Sequence, residues 1–354
     1  MHECQKKPFL SILITTYNRS FFLRQCLSSI YESFREFFDK EQGIEIIVLN
    51  NGSNDETHEV LQQYENTMPL KILYEKDNIS FIPGILKCIS KATGKYCWFL
   101  GDDDFLINGM DDLLLFLEQE TPDILLLNHY FYMYKNNEIK YIMKNKQGFL
   151  FKKPKGCYSS YTDYILNVRH NNAFFTHIAP VIFKKDQWDS NFSPESAERH
   201  FQSYSAHIYF FLSILKNSKI ICFFRKPKVV LRVGAPIEAL LTEEYRYYRF
   251  VMDVQYFTDM FMEVFSEERL IRHFKEVMLK KSVLILLLGT KLHCSFPFSF
   301  YLKLIKLLYS NYKTHPFFWY GITPVLLTPR IVFSLANRLY FGKSSAKKER
   351  QNPS

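Results

Sequence analysis

Short apolar runs alternate with amphipathic segments over the first hundred residues. Runs of apolar residues predict buried strands at residues 9–16, 44–49, 70–74 and 96–100. Between them, apolar residues recur at helical spacing, as in Leu23, Leu27, Ile30, Tyr31 and Phe34. Short strands alternating with helices are typical of a parallel sheet covered on both faces. The predicted fold class is therefore α/β, with a Rossmann-like, mostly parallel sheet and flanking helices.

The predicted sheet brings polar side chains to one edge. In such sheets ligands bind beyond the carboxyl ends of the strands. The residues that follow the first, second and fourth strands are Thr15, Thr16 and Tyr17, then Asn50 and Asn51, then Asp102 to Asp104. Between two of these groups, Ser53-x-x-Glu56 has the form of a capping box and predicts the start of a helix.

The fourth predicted strand ends at three adjacent acids, Asp102, Asp103 and Asp104. Three neighbouring carboxylates repel one another unless positive charge lies close by. Carboxylate oxygens suit hard cations such as Mg²⁺ or Mn²⁺, which fill their other positions with water and substrate phosphates. The alternative is a solvated turn that caps a helix over residues 108–117. Because the chain has neither GxGxxG after its first strand nor a P-loop, phosphates held here would need a cation.

The next hundred residues continue the same domain. Residues 123–128 predict a further strand, residues 130–151 an exposed hairpin, and residues 177–183 a strand. A polar stretch containing Glu195 and Glu198 then leads into a helix over residues 204–216.

Charge is distributed unevenly along the 354 residues. The formal net charge is +9, yet residues 277–354 hold 12 basic residues and one acid, Glu349, for a net +11. That region alternates Lys with leucine and aromatic side chains, a composition typical of helices on an anionic membrane surface. An ordinary helical subdomain is the alternative. Nucleic acid is disfavoured as a partner because the aromatic residues lie among aliphatic runs instead of a polar groove.

Targeting signals are absent from the sequence pattern. The N-terminus runs straight into a strand, without the apolar region of a signal peptide, and no uncharged stretch reaches bilayer length. The seven cysteines form no CxxC pair and are odd in number, which favours reduced thiols. We therefore expect a cytoplasmic protein, peripheral on the inner face of the cell membrane.

Three motifs resemble one enzyme family. They are Ile-Leu-Ile-Thr-Thr-Tyr-Asn-Arg (12–19), Ile-Ile-Val-Leu-Asn-Asn-Gly-Ser-Asn-Asp-Glu-Thr (46–57) and Ala-Thr-Gly-Lys-Tyr-Cys-Trp-Phe-Leu-Gly-Asp-Asp-Asp (92–104). In order and spacing they resemble the family 2 glycosyltransferases, inverting enzymes of the GT-A fold that use a nucleotide sugar. The resemblance is specific over residues 8–130. From there to about residue 235 the chain looks most like bacterial transferases of the abequosyltransferase type, and beyond that the resemblance lapses.

The resemblance implies roles for residues at the edge of the sheet. Thr15 and Tyr17 fall where the family lines the base and ribose pocket, and Asn51 takes the place of its usual base-binding Asp. The acids Asp102 to Asp104 match the family's DxD region, with Gly101 where many members have the first Asp. The metal ligand is then Asp103 in one register or Asp104 in the other.

The resemblance also implies a general base near the start of the helix over residues 204–216. The family's Asp falls at His207, whose unperturbed pKa of about 6.5 would leave it mostly neutral. Glu195 and Glu198 are the alternatives, and His177 is a candidate for the acceptor site. Arg232 could reach the diphosphate from a closing loop, or act as a surface ion-pair residue.

The sequence as a whole predicts a GT-A glycosyltransferase domain at residues 1–235. Residues 236–342 are expected to form a helical basic and aromatic region, and residues 343–354 a disordered basic tail. The predicted function is metal-dependent inverting transfer from a UDP- or other pyrimidine-linked sugar to a glycan or lipid-linked acceptor, in lipopolysaccharide, lipooligosaccharide or capsule synthesis. The rivals are a nucleotidyltransferase and an inactive membrane adaptor. The sequence leaves open whether the protein forms a homo-oligomer.

Overall fold

A computed structural model describes residues 7–38, 43–135, 138–144, 150–153, 155–192, 198–200, 206–233, 242–293, 297–329 and 332. The backbone divides into two compact units. Unit 1 comprises Met1–Gly234 with Glu263–Phe265, and unit 2 comprises Ala235–Met262 with Ser266–Ser354. The predicted tail at residues 343–354 lies outside the described residues.

The strands of unit 1 form one sheet. They are β1 (Leu10–Thr16), β2 (Ile44–Asn51), β3 (Leu70–Glu75), β4 (Tyr96–Phe99), β5 (Phe105–Leu106), β6 (Ile124–Lys135), β7 (Glu138–Lys144), β8 (Cys157–Tyr158), β9 (Val181–Lys184) and β10 (Ile221–Val233). The helices of this unit are α1 (Ser20–Phe34), α2 (Thr57–Glu65), α3 (Phe81–Lys91), α4 (Asp111–Glu120), α5 (Tyr161–Asn167), α6 (Lys185–Asn191) and α7 (Ala206–Asn217).

The sheet has the order β3-β2-β1-β4-β9-β6-β10-β5, with β7 beside β6 and β8 beside β10. Strands β3, β2, β1 and β4 are parallel, as the alternation of strands and helices predicts. The second half is mixed, because β9 runs antiparallel to both β4 and β6. The predicted α/β fold class with a GT-A type sheet is confirmed, and the antiparallel strands lie where the apolar pattern fixes no direction.

Burial explains the first part of the sheet. Strand β1 is buried along nearly its whole length, since helices cover both faces of a parallel sheet. On α1, the apolar residues Leu23, Leu27, Ile30 and Phe34 are fully buried at the helical spacing read from the sequence. These residues join the strand side chains in one core.

The start of α2 differs from the prediction. Helix α2 begins at Thr57, and Ser53 accepts a hydrogen bond from the backbone of Asn18 instead of closing a capping box. Asp55 takes the capping role, because its Oδ1 accepts from the backbone N–H and the hydroxyl of Thr57. The capping box expected at Ser53-x-x-Glu56 is therefore wrong. The loop after β2 is instead joined to the turn after β1 by the hydrogen bond between Asn18 and Ser53.

The expectation of reduced thiols is wrong for one pair of cysteines. Cys157 and Cys222 form a disulfide with a Cα–Cα distance of 4.0 Å. They face each other because β8 and β10 are antiparallel and pair these two residues in register. Cys26, Cys88 and Cys97 are free and buried.

Unit 2 is helical. Its described helices are α8 (Glu243–Val251), α9 (Phe257–Val264, whose last two residues belong to unit 1), α10 (Glu268–Met278), α11 (Leu284–His293), α12 (Phe298–Tyr312) and α13 (Thr323–Leu327). Buried side chains such as Phe250, Leu287, Phe300 and Leu308 form a separate core. Among the described helices, none has an apolar stretch long enough to cross a bilayer.

Candidate active site

The three acids lie at the carboxyl end of β4, in a cavity of about 570 Å³. Because β1 and β4 are parallel and pair Leu13 with Phe99, the residues after these two strands meet at one edge. The wall contains the predicted residues Thr15, Tyr17, Asn51, Asp102, Asp103, Asp104, His177 and Arg232. The structure therefore brings together most of the candidate site residues.

Arg19 bridges two of the acids. Its Nε lies 3.3 Å from Asp102 Oδ1, and its Nη2 lies 2.5 Å from Asp103 Oδ2. The hydroxyl of Thr16 also donates to Asp102 Oδ2 at 2.8 Å. Although burial acts to lower it, the charges of Asp102 and Asp103 raise the pKa of the Arg19 guanidinium above its ordinary value. The first two acids are thus partly neutralised from the turn after β1.

Arg232 holds the other side of the loop at residues 101–104, here called the acid loop. Its backbone N–H donates to Asp104 Oδ1 at 3.0 Å, and its Nε donates to the backbone carbonyl of Asp103 at 3.0 Å. Its Nη2 donates to Gln25 at 2.6 Å, and its guanidinium carbon lies 4.5 Å from the ring centre of Phe22. These contacts fix Arg232 to the loop backbone.

Burial makes Asp102 and Asp104 reluctant to ionise. Burial raises the pKa of Asp102 to about 6, which Arg19 partly offsets and Asp103 reinforces. Burial, with the neighbouring Asp103 charge, raises the pKa of Asp104 well above its usual value. Asp103 has the more exposed carboxylate, with 28% of its side chain accessible. A cation entering the cavity would meet Asp103 first.

Gly101 decides how the acid loop folds. A Cβ at this position would lie 2.6 Å from Asp104 Oδ2 and 3.0 Å from Asp103 Oδ1. The missing side chain therefore leaves room for the Asp104 carboxylate to turn back toward the loop, where the Asp104 N–H also donates to the Gly101 carbonyl. A residue with a side chain at 101 would displace Asp104.

Asn51 holds the loop before α3. Its Nδ2 donates to Asn78 Oδ1 at 3.1 Å and to the Ser80 carbonyl at 3.3 Å, while its Oδ1 accepts from the Ile79 N–H at 3.0 Å. An N–H can only donate and a carbonyl can only accept, so these partners fix the amide orientation. Both Nδ2 hydrogens are used, and Oδ1 retains a second lone pair.

The candidate bases lie apart from this cavity or outside the described residues. His207 is buried on the first turn of α7, 7% exposed, and is not among the described residues that line the cavity. Glu198 is exposed and does not line it, and Glu195 is not described. His177 does line it, with its ring centre 5.4 Å from that of Phe131.

The sequence pattern assigns no role to two residues of the site. Arg19 appears only at the end of the first motif and Ser80 lies in no motif, yet both line the cavity. Thr16 is expected at this edge of the sheet, but its hydrogen bond to Asp102 is not. For Arg19 a signal existed, because a basic residue after β1 must lie at the same edge as the acids after β4. For Ser80 the sequence holds no such signal, since the position of Ser80 in the cavity wall depends on its contact with Asn51.

The acid loop meets part of what a divalent cation needs. Within the described residues, no three His, Cys, Asp or Glu side chains are arranged to hold an ion by themselves. Mg²⁺ and similar ions usually bind through one or two carboxylates together with substrate phosphates and water. The hard oxygen donors of Asp102 and Asp103 fit such an ion when a diphosphate shares it.

Comparison with known proteins gives one consistent likeness. Residues 11–181 match the family described as Glycosyl transferase family 2. The abequosyltransferase RfbV of Salmonella typhimurium is 24% identical over 63% of this chain and 66% of its own length. The poly(ribitol-phosphate) beta-N-acetylglucosaminyltransferase TarS of Staphylococcus aureus is 26% identical over 33% of this chain, but only 20% of its own length. The crystal structure of S. aureus TarS 1-349 has a TM-score of 0.61 at 16% identity, covering 94% of this chain and 91% of that one.

Proposed function

We propose that this chain transfers a sugar, with inversion, from a nucleotide-sugar donor to a surface glycan, since residues 11–181 match the Glycosyl transferase family 2. The observation that supports this most is the cavity in which Asp102 to Asp104 meet the ends of β1 and β2. Such an edge suits a nucleotide diphosphate. The proposed acceptor class is supported by relatives named abequosyltransferase and poly(ribitol-phosphate) beta-N-acetylglucosaminyltransferase. Lipopolysaccharide, lipooligosaccharide or capsule precursors, some of them lipid-linked, are the proposed acceptors.

The donor base is proposed to be uracil. With both Nδ2 hydrogens engaged, Asn51 can only accept a further hydrogen bond, through Oδ1. The imide N–H of uracil donates to such an acceptor, whereas the corresponding ring nitrogen of cytosine is itself an acceptor. The crystal structure of S. aureus TarS 1-349 in complex with UDP supports a uridine donor through its similar fold, with a TM-score of 0.52. Thr15 and Tyr17 would line the base and ribose pocket beside Asn51.

The diphosphate is proposed to bind with Mn²⁺ or Mg²⁺ at Asp102 and Asp103, with Asp104 as a buried support. A bound divalent cation would neutralise charge on the leaving diphosphate. Asp103 is the proposed ligand of the two registers, because Asp104 Oδ1 already accepts from the Arg232 backbone and its carboxylate is buried. Arg232 lines the same cavity and would face the diphosphate while it keeps the acid loop in place.

The general base is proposed to be a histidine. His207 occupies the position implied by the resemblance, and His177 is the second candidate because it lines the cavity. Glu195 and Glu198 remain the carboxylate alternatives. A base that takes the acceptor proton contributes about 10²–10⁴-fold to the rate. Replacing the base should therefore lower transfer by that factor while leaving UDP binding unchanged, and comparison of His207→Ala, His177→Ala, Glu195→Ala and Glu198→Ala identifies it.

Hydrolysis of nucleotide sugars tests the proposed function against its rivals. We expect the protein to hydrolyse a UDP-sugar slowly without an acceptor, and faster with Mn²⁺. A nucleotidyltransferase would instead release pyrophosphate from a nucleoside triphosphate and a sugar phosphate. An inactive membrane adaptor would show neither reaction and no metal-dependent nucleotide binding.

We also propose that unit 2 contacts the inner face of the cell membrane. On α12, Phe298, Leu302 and Tyr309 are 74%, 51% and 47% exposed. At about 100° per residue they lie on one face of the helix. Lys303, Lys306 and Lys313 are exposed beside them. Aromatic and aliphatic side chains with lysines suit an anionic lipid surface.

Vesicle binding tests the membrane proposal. Each lysine near an anionic surface contributes about 1 kcal/mol. A triple change of Lys303, Lys306 and Lys313 to Glu should therefore weaken binding to phosphatidylglycerol vesicles about 100-fold or more. The matched control changes the exposed Lys71, Lys91 and Lys153 of unit 1 to Glu. Equal weakening by both triple variants would contradict a specific role for α12.

A further inference from the structure

The two arginines at the acid loop differ in how firmly they are held. Arg232 is bound by its backbone N–H to Asp104, by its Nε to a backbone carbonyl and by its Nη2 to Gln25. The Arg19 side chain pairs with Asp102 and Asp103, and 40% of that side chain is exposed. Arg19 can therefore leave the acids without disturbing the loop backbone, whereas Arg232 cannot.

Arg19 occupies one oxygen of each carboxylate in the proposed metal site. Its guanidinium lies against Asp102 Oδ1 and Asp103 Oδ2, while Thr16 donates to the other oxygen of Asp102. Two cations on the same pair of carboxylates repel each other, and the repulsion is strong where burial lowers the local dielectric. Binding of the metal ion at Asp102 and Asp103 thus requires Arg19 to give up at least one of its ion pairs.

A released Arg19 has a new partner close by. Arg19 lines the same cavity as Asp102 and Asp103, so a diphosphate bound there would lie within reach of its guanidinium. A guanidinium matches the geometry of phosphate oxygens and binds them in a bidentate manner. The ring of Phe22, 5.1 Å from the Arg19 guanidinium carbon, offers a stacking surface for the side chain.

We propose that Arg19 exchanges partners during donor binding. In the ligand-free protein Arg19 neutralises Asp102 and Asp103. When the cation binds with the donor, Arg19 releases these two carboxylates, which then bind the cation, and its guanidinium pairs with the diphosphate. This inference rests on the proposed metal and diphosphate site. The consequence of this exchange is thermodynamic coupling. Cation binding frees Arg19 for the diphosphate, and diphosphate binding frees the two carboxylates for the cation, so each ligand strengthens binding of the other by the same factor.

Binding measurements on an Arg19 variant test the exchange. Mn²⁺ binding alone is followed by the electron paramagnetic resonance signal of the free ion, and UDP binding by calorimetry with and without Mn²⁺. In Arg19→Gln the competitor for the acids is lost, so Mn²⁺ alone should bind about fivefold or more tightly. The factor by which Mn²⁺ strengthens UDP binding should fall at least about fivefold.

Two further variants serve as controls. Arg19→Lys keeps the charge but cannot bridge both acids, so its coupling factor should lie between those of wild type and Arg19→Gln. Arg24→Gln changes an exposed arginine of α1 that donates to Gln63, and it should behave as wild type. Thermal unfolding by circular dichroism confirms that each variant is folded.

The outcomes separate the exchange from the function on which it rests. Weaker or unchanged Mn²⁺ binding in Arg19→Gln, with the coupling factor of wild type, would overturn the exchange alone. Failure of the wild-type protein to bind Mn²⁺ and UDP together would overturn both the exchange and the proposed metal site.

Discussion

Replacing Asn51 by Asp should damage the site, even though the sequence resemblance places the family's usual base-binding Asp at this position. The amide donates to Asn78 Oδ1 and to the Ser80 carbonyl, at 3.1 and 3.3 Å. In Asn51→Asp both donors are lost and a carboxylate oxygen faces two acceptors. At about 1 kcal/mol for each lost hydrogen bond, the free energy of unfolding should fall by about 2 kcal/mol.

The same change should weaken UDP binding. The loop from Asn78 to Ser80 lines the cavity, and Ser80 has a φ of 74°, a conformation that its bonding partners must maintain. If the cost of about 2 kcal/mol is felt mainly in the ordered loop, UDP affinity falls about 30-fold. Isothermal calorimetry with UDP and Mn²⁺ measures the affinity, and urea unfolding measures the stability.

Asn54→Asp is the matched control. Asn54 is exposed in the loop after β2, so the same change of amide to carboxylate should alter stability by less than about 0.5 kcal/mol. If Asn51→Asp binds UDP as tightly as wild type and unfolds at the same urea concentration, then the amide does not hold the loop. The argument for uracil would fail with it.

Three other changes test different parts of the account. Asp103→Asn should weaken Mn²⁺ binding in the presence of UDP at least about tenfold, measured by calorimetry, whereas Asp104→Asn should mainly lower stability. A larger loss of Mn²⁺ affinity in Asp104→Asn than in Asp103→Asn would assign the metal to Asp104. Burial lowers the pKa of His129 to about 4, below its unfolded value of about 6.5. Between these two pH values the unfolded state binds more protons, so stability falls as the pH falls, by at most about 3.4 kcal/mol. Urea unfolding at pH 7 and pH 4.5 should show a smaller loss for His129→Asn than for wild type, and equal losses would contradict this. Asp123 accepts hydrogen bonds from Lys184 Nζ and from the backbone N–H groups of Lys219 and Ile220. Asp123→Ala should therefore lower the free energy of unfolding by about 3 kcal/mol, whereas the control Asp189→Ala, at an exposed ion pair, should lower it by less than about 0.5 kcal/mol. Similar values for the two variants would refute the role of this network.

The sequence predicts the parallel half of the sheet well for a physical reason. Strands β1, β2 and β4 are covered by helices on both faces, so each must be a continuous apolar run that ends abruptly in polar residues. The same abrupt ends predict the site, because carboxyl ends of parallel strands meet at one edge. The acids at 102–104 are conspicuous since they follow a fully buried strand.

What neutralises those acids could not be predicted. Arg19 and Asp103 are 84 residues apart, and their contact depends on how β1 and β4 align. The role of Asn51 likewise depends on the path of the loop at 78–80, which has no apolar pattern. The pairing of Cys157 with Cys222 follows only from the register of β8 and β10, 65 residues apart in the chain.

A crystal of the protein grown with Mn²⁺ and UDP tests the central claim most directly, through the anomalous signal of manganese. The account predicts a manganese peak at the end of β4, within about 2.0–2.2 Å of an Asp103 or Asp102 oxygen and of the diphosphate. It also predicts that the Arg19 guanidinium has left Asp103. UDP bound elsewhere, or a manganese peak away from these acids while Arg19 still bridges them, would contradict it.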